Sequence, residues 1–321
     1  MCQSAKSLPT TGTKSLSFEN SVVLWELQLD LVRWPPRTMR GMNPADFACM
    51  RARSRRLAVN GVDLHALEWG EPGRPALCFL HGGAAHAHWF DRVVPAFADR
   101  FHVLALDQRG HGASAWVDPP SYATEDFVSD LVALFDALGW RAATLVGHSM
   151  GGHNAIACAA WHPERVRALV VVDSRPAIPP ERMAAMRDRG ARPLKRHPSV
   201  EAAVGAFRLL PRETVADRAF LAHLARAGVV ERDGGWVFRF DPATYAVRKP
   251  VDGWTLAGGI TAPTLVVRGE LSPILPKEMA ARLEATIPAA RVVEIRGAYH
   301  HLVLDRPSEF AAVLDEFLSA V

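Results

Sequence analysis

The sequence predicts an α/β fold with a mostly parallel sheet, on three observations. Short apolar runs recur at 76–80, 101–106, 167–173, 264–267 and 291–295, and continuous apolarity rather than alternation is what a strand buried on both faces needs. Stretches with helical spacing separate them, such as 124–138, where Phe127, Leu131, Leu134, Phe135 and Leu138 mark one face. Third, the run beginning at Arg141 passes through Gly147-His148-Ser149-Met150-Gly151-Gly152 straight into a helical stretch ending near Trp161. Strands and helices alternating at this spacing form βαβ units.

Taken in order, residues 1–52 mix Ser, Thr, Lys and Pro around one short hydrophobic stretch without a clear period. They are expected to be an N-terminal extension: a disordered leader, the product of a start upstream of Met39, Met42 or Met50, or a segment whose stretch Val22–Val32 docks on the domain or on a partner. From Arg53 two strand-like runs flank Asn60-Gly61, a hairpin signature. The run 76–80 ends in His81-Gly82-Gly83, and the run 101–106 ends in Asp107-Gln-Arg-Gly-His-Gly-Ala-Ser114. Gly139 stops the helix at 124–138. Between 175 and 259 the alternation breaks into an Arg-, Ala- and Pro-rich stretch of short helices holding Asp233-Gly-Gly-Trp-Val-Phe. An inserted cap is expected there, over the carboxyl edge of the sheet where open α/β sheets bind ligands. A strand, a helix over 278–286, a strand at 291–295, His300-His301 and a helix opened by Pro307 complete the chain. The expected domains are therefore a core of 53–174 and 260–321, with the cap at 175–259.

Composition narrows the function. The 321 residues, 49% of them hydrophobic, can bury a sizeable core. Residues 1–56 hold 9 Lys/Arg against 4 Asp/Glu, which leaves 28 against 30 in the remainder; so neutral a body argues against nucleic acid as a partner. Four scattered cysteines without Cys-x-x-Cys spacing point to reduced thiols and a cytoplasmic protein. Glu26 and Asp30 interrupt the most apolar N-terminal stretch, so no membrane span or secretory signal is expected. His86 and His88 form the tightest histidine pair, yet no carboxylate or cysteine stands at ligand spacing, so neither a metal nor a cofactor is implied. Residues 176–232 carry 11 Lys/Arg and 6 Asp/Glu, a surplus read as a solvated helix face.

Ser149 stands at a turn so tight that its flanks must be glycine, and at the N-terminus of a helix, where unpaired N–H groups favour negative charge. It is the candidate nucleophile. A serine hydroxyl needs a base within hydrogen-bond reach, and His300, in a loop after a late strand, is the candidate, with His301 its close rival. Carbonyl attack also needs donors aimed at the oxyanion: the N–H of Met150, and that of Gly83 at the end of a buried strand.

His81-Gly82-Gly83, Asp107-Gln-Arg-Gly-His-Gly-Ala-Ser, Gly147-His-Ser-Met-Gly-Gly and Gly297-Ala-Tyr-His300 occur in the order seen in α/β-hydrolases. Over residues 53–321 the chain resembles that superfamily, and within it the capped branch of esterases, lactonases and carbon–carbon bond hydrolases. The resemblance implies an eight-stranded, mostly parallel sheet with helices on both faces and an inserted helical cap. It also favours His300 over His301. Dehalogenases and epoxide hydrolases of this branch use an aspartate where this chain has Ser149.

The triad acid departs from the family pattern. Most relatives place an Asp on the loop that here reads Gly269-Glu270-Leu271-Ser272-Pro273, where Ser272 or Pro273 occupies the usual position. Asp173, ending the strand after the nucleophile helix, and Glu270 are the two candidates. The expected activity is hydrolysis of a small carboxylic ester of short to medium acyl length. Lactone or carbon–carbon bond hydrolysis uses the same machinery, and a catalytically weak ligand sensor is the reading from another class. The oligomeric state is left open.

Overall fold

The computed structural model describes residues 52–321, so all but the last residue of the expected N-terminal extension lies outside the described residues. Strands β1 (Arg53–Val59) and β2 (Val62–Trp69) form an antiparallel hairpin. Its turn residues Asn60 and Gly61 have φ of 50° and 74°, the conformation that matches the twist of the flanking strands. Next come β3 (Ala76–Leu80), two 3₁₀ turns at Ala87–Phe90 and Val94–Ala96, and β4 (His102–Asp107). Helix α1 (Thr124–Leu138) ends at Gly139 in the left-handed conformation. Strand β5 (Ala143–His148) leads into α2 (Met150–Trp161), and β6 (Val166–Val172) follows.

The stretch after β6 holds α3 (Pro180–Gly190), α4 (Val200–Ala206), α5 (Arg218–Ala227), a hairpin of β7 (Val229–Arg232) and β8 (Gly235–Phe238), α6 (Ala243–Ala246) and α7 (Trp254–Ala257). The hairpin departs from the expected run of short helices. Its turn, Asp233 and Gly234 with φ of 49° and 73°, is an Asp-Gly hairpin signal submerged in Arg- and Ala-rich surroundings. The chain closes with β9 (Thr264–Gly269), α8 (Lys277–Thr286), β10 (Ala290–Ile295), α9 (Leu302–Asp305) and α10 (Pro307–Ser319).

Eight strands form one sheet in the order β1-β2-β4-β3-β5-β6-β9-β10, in which β2 alone runs against the others. The strands read as apolar runs because their side chains are buried: Leu77 to Leu80, Leu145, Val146 and Val170 to Val172 are inaccessible to solvent. Leu131 of α1, Ile156 of α2 and Leu283 of α8 join Leu145, Val171 and Val266 in one core. Register brings the strand ends level, pairing Leu80 with Gly147, His148 with Val172, and Val172 with Val267. The residues that follow those ends, His81 to Gly83, Ser149, Asp173 and 269–273, therefore meet on one rim.

Candidate active site

Ser149 is the turn between β5 and α2, with φ 51° and ψ −113°. A non-glycine residue with positive φ is held against its preference, and such strain persists only where the surroundings enforce it. Here the Ser149 N–H donates to Val172 O (3.0 Å), and Ser149 O accepts from Ser174 Oγ (2.6 Å) and His153 N (3.1 Å). The glycines are steric necessities. A Cβ on Gly147 would stand 2.4 Å from Gly151 O, and one on Gly151 would stand 2.3 Å from Leu80 O.

His300 reaches this turn from beyond β10. Its loop is fixed by Asp305, which accepts from Tyr299 N (2.8 Å), Val215 N (3.0 Å) and the Thr214 hydroxyl, while His300 O accepts from His148 Nε2 (3.0 Å). His300 Nδ1 donates to Asp173 Oδ2 at 2.6 Å, which leaves Nε2 to accept from Ser149 Oγ at 3.2 Å. Burial pushes the His300 imidazole well below its usual range, and the guanidinium groups of Arg182 and Arg175 push it the same way. These effects favour the neutral ring, the form in which Nε2 can accept a proton.

Asp173, also at positive φ (44°), is wholly buried. Burial pushes its carboxyl up, while the Ser272 hydroxyl (2.5 Å) and the Gly269 N–H (3.2 Å) favour the charged form. Ser272, one of the two residues at the family's usual acid position, thus donates a hydrogen bond to the carboxylate that binds the ring. Glu270 points elsewhere: its exposed carboxylate accepts from Gly297 N at 2.7 Å. That bond pins the loop carrying His300 from outside, because a side chain leaving the sheet at residue 270 is directed to solvent. His301 instead donates from Nε2 to Pro211 O (3.0 Å).

Met150 opens α2, so its N–H has no helical carbonyl to meet. Gly83 lies across the rim, with space for a Cβ limited to 3.0 Å by the Tyr245 hydroxyl. Both line a cavity of about 620 Å³ with Ser149 and His300, and residues 178–189, Leu210, Tyr245 and Arg248 from between β6 and β9 form its other wall. Asp107 and Arg109 brace loops instead of facing the cavity: Asp107 accepts from His65 Nδ1 (2.7 Å), Ala87 N (2.7 Å) and Ala113 N (2.9 Å), and Arg109 pairs with Asp130 (2.6 Å).

Two groups could offer a cation three ligand atoms among the described residues, His148/His300/His301 and His88/Asp91/His223. The first uses the ring that faces Ser149, and in the second His88 and His223 already donate to Asp91 (2.9 and 2.8 Å). His86 Nε2 donates to Leu224 O (3.0 Å).

Three residues of the site were not anticipated from sequence: Ser272, bonded to Asp173, and the cavity residues Tyr245 and Arg248. Ser272 stands near the usual acid position but carries no carboxylate, and Tyr245 and Arg248 lie in a short helix and a loop with no motif around them. Only folding brings Ser272 to Asp173 and the other two to the cavity.

The sequence profile of the alpha/beta hydrolase fold matches residues 75–307. The chain is 30% identical over 287 residues to 2-(acetamidomethylene)succinate hydrolase of Mesorhizobium japonicum, covering 86% of this chain and 99% of that one. It is 29% identical to an esterase of Mycobacterium tuberculosis, covering 82% of this chain and 92% of that protein. Among solved structures, the enol-lactonase of Burkholderia xenovorans LB400 superposes with a TM-score of 0.68 at 26% identity, covering 83% of this chain and all of that one. With the eight-stranded sheet and the strand–serine–helix turn in place, the chain belongs to the α/β-hydrolase family and is a hydrolase of that fold.

Proposed function

We propose that the protein cleaves carboxylic esters of short to medium acyl length through an acyl-serine intermediate. The observation that carries this reading is the continuous contact from Ser149 Oγ to His300 Nε2 (3.2 Å) and from His300 Nδ1 to Asp173 Oδ2 (2.6 Å). Ser149 attacks the ester carbonyl while His300 takes its proton. The Gly83 and Met150 amides receive the oxyanion, each contributing about 3 kcal/mol to the transition state. His300 then protonates the departing alkoxide, and water, deprotonated by the same ring, releases the acid and frees Ser149. Asp173 holds the ring in the Nδ1–H tautomer and stabilises its imidazolium form; Glu270 has no part in this. Residues 175–259 act as the cap that closes the cavity over the rim.

A lactone is an internal ester, and the likeness to an enol-lactonase supports cyclic esters as substrates too. The test is a panel of p-nitrophenyl esters and lactones on the wild type and Ser149→Ala, with labelling by an organophosphonate. Burst release of p-nitrophenol and labelling in the wild type alone are expected. An unlabelled, inert Ser149 in a protein that still binds ligands would replace the enzyme with a sensor.

A further inference from the structure

Arg248 lies in the loop between α6 and α7 and is 3% exposed, yet it lines the Ser149 cavity. Its Nε is buried without a hydrogen-bond partner, and no described carboxylate pairs with its guanidinium. The acids on the elements packed around it are engaged elsewhere: Asp130 with Arg109 (2.6 Å), Asp241 with the Tyr122 hydroxyl (2.5 Å) and Asp252 with Trp254 N (3.0 Å). Phe127, whose ring centroid is 5.9 Å from the guanidinium carbon, Tyr245 and His153 are its neutral neighbours. Burial lowers Arg248 to about 10, so it is still charged at neutral pH.

The charge is not needed to hold the loop. Lys249 O accepts from Thr124 N (3.1 Å), and Val251 N donates to Thr124 Oγ1 (3.2 Å), tying the stretch that follows Arg248 to the start of α1. An unpaired buried cation is costly and is expected to have an anionic partner at some point in the protein's working cycle. Other orphaned donors face the same space. Arg175 Nε and Trp89 Nε1 are buried without partners, and both residues line the cavity. Arg182 and Arg189 add positive charge to the lining, where Glu181 is the one acid.

We propose that Arg248 binds a carboxylate on the substrate, so that the ester cleaved is an anionic one, a hemiester or lactone of a diacid or an ester of a hydroxy acid. This rests on the reading of Ser149 as nucleophile. A single negative charge matches Arg248, the one buried arginine among the described residues lining the cavity, whose planar fork receives a carboxylate through two parallel bonds.

The test compares mono-p-nitrophenyl glutarate with the neutral p-nitrophenyl pentanoate on the full-length wild type and Arg248→Met, alongside calorimetric binding of glutarate. The wild type is expected to favour the hemiester by about tenfold or more in kcat/KM, and Arg248→Met to lower that ratio by at least about 30-fold, chiefly through KM. Glutarate binding is lost in the variant. Its melting temperature is equal or higher, because methionine keeps the packing and removes an unpaired charge. A ratio unaltered by the substitution, or equal glutarate binding by both proteins, overturns the proposal, and so does inorganic phosphate binding more tightly than glutarate. If no ester is turned over, the nucleophile reading fails, and calorimetry alone still decides for or against Arg248.

Discussion

Replacing Asp173 with asparagine isolates what the carboxylate does. Asparagine fits the same volume and tolerates the positive φ of 44° at this position, so the fold should survive. With its amide oxygen at the Oδ1 position, still accepting from Gly269 N–H, its NH₂ group takes the Oδ2 position and faces His300 Nδ1 and the Ser272 hydroxyl, which can then accept from it. A donor facing Nδ1 moves the ring proton to Nε2. Ser149 Oγ, 3.2 Å away, then meets a donor where it needs an acceptor. In serine hydrolases with this geometry the wrong tautomer lowers kcat by about 10⁴, which corresponds to about 5 kcal/mol at 1.36 kcal/mol per decade. A loss of about 10³ to 10⁴ is therefore expected here. The assay is p-nitrophenyl butyrate turnover, with circular dichroism and melting temperature as the check on folding. Adding Ser272→Asp to Asp173→Asn places a carboxylate where the Ser272 hydroxyl now stands, 2.5 Å from the lost one, and should recover at least about tenfold of that loss. A single variant within about tenfold of wild type, or an equal loss in Glu270→Gln, would refute the assignment of the acid.

Other outcomes follow from the same geometry. His300 acts as a base only when neutral, and burial, Arg182 and Arg175 all lower its pKa. The acidic limb of kcat/KM should thus lie below about pH 6.5, with activity present above the limb and lost as pH falls through it. Arg175→Gln and Arg182→Gln should move the limb upward, and a pH–rate titration showing no movement would contradict the charge argument. Gly151→Ala forces a Cβ to 2.3 Å from Leu80 O and should cost about 1–3 kcal/mol, read from denaturant unfolding, together with lost activity as the turn shifts. Asp107→Ala strands the His65, Ala87 and Ala113 donors and should destabilise by about 3 kcal/mol, lowering the melting temperature without an equivalent change in kcat of the remaining folded enzyme.

Much of the scaffold is legible in the sequence because its determinants are local. Asn60-Gly61 announces the first hairpin, Gly139 ends α1 and the doubled glycine after Ser149 marks the turn into α2. Ser149 and His300 stand out by motif. The acid does not, since choosing between Asp173 and Glu270 requires the path of the loop 269–273, and that path is set by Ser272 and Gly269 donating to Asp173. Arg248 is invisible for a related reason. An arginine in a loop is ordinarily solvated, and its burial arises only when α6, α1 and α2 come together. The β7–β8 hairpin was concealed by composition: the Asp-Gly signal is short, and the helix-favouring residues around it are many.

Asp173 and the inserted segment are next to each other in the chain, with Ser174 between the carboxylate and Arg175 on the cavity wall. The cavity wall and the carboxylate bonded to His300 Nδ1 therefore share one short stretch of chain. A displacement at Arg175 has two peptide units in which to be absorbed before it reaches Asp173. Grafting a foreign wall onto this scaffold would have to begin after Arg175, or the graft would disturb the setting of Asp173 along with the wall.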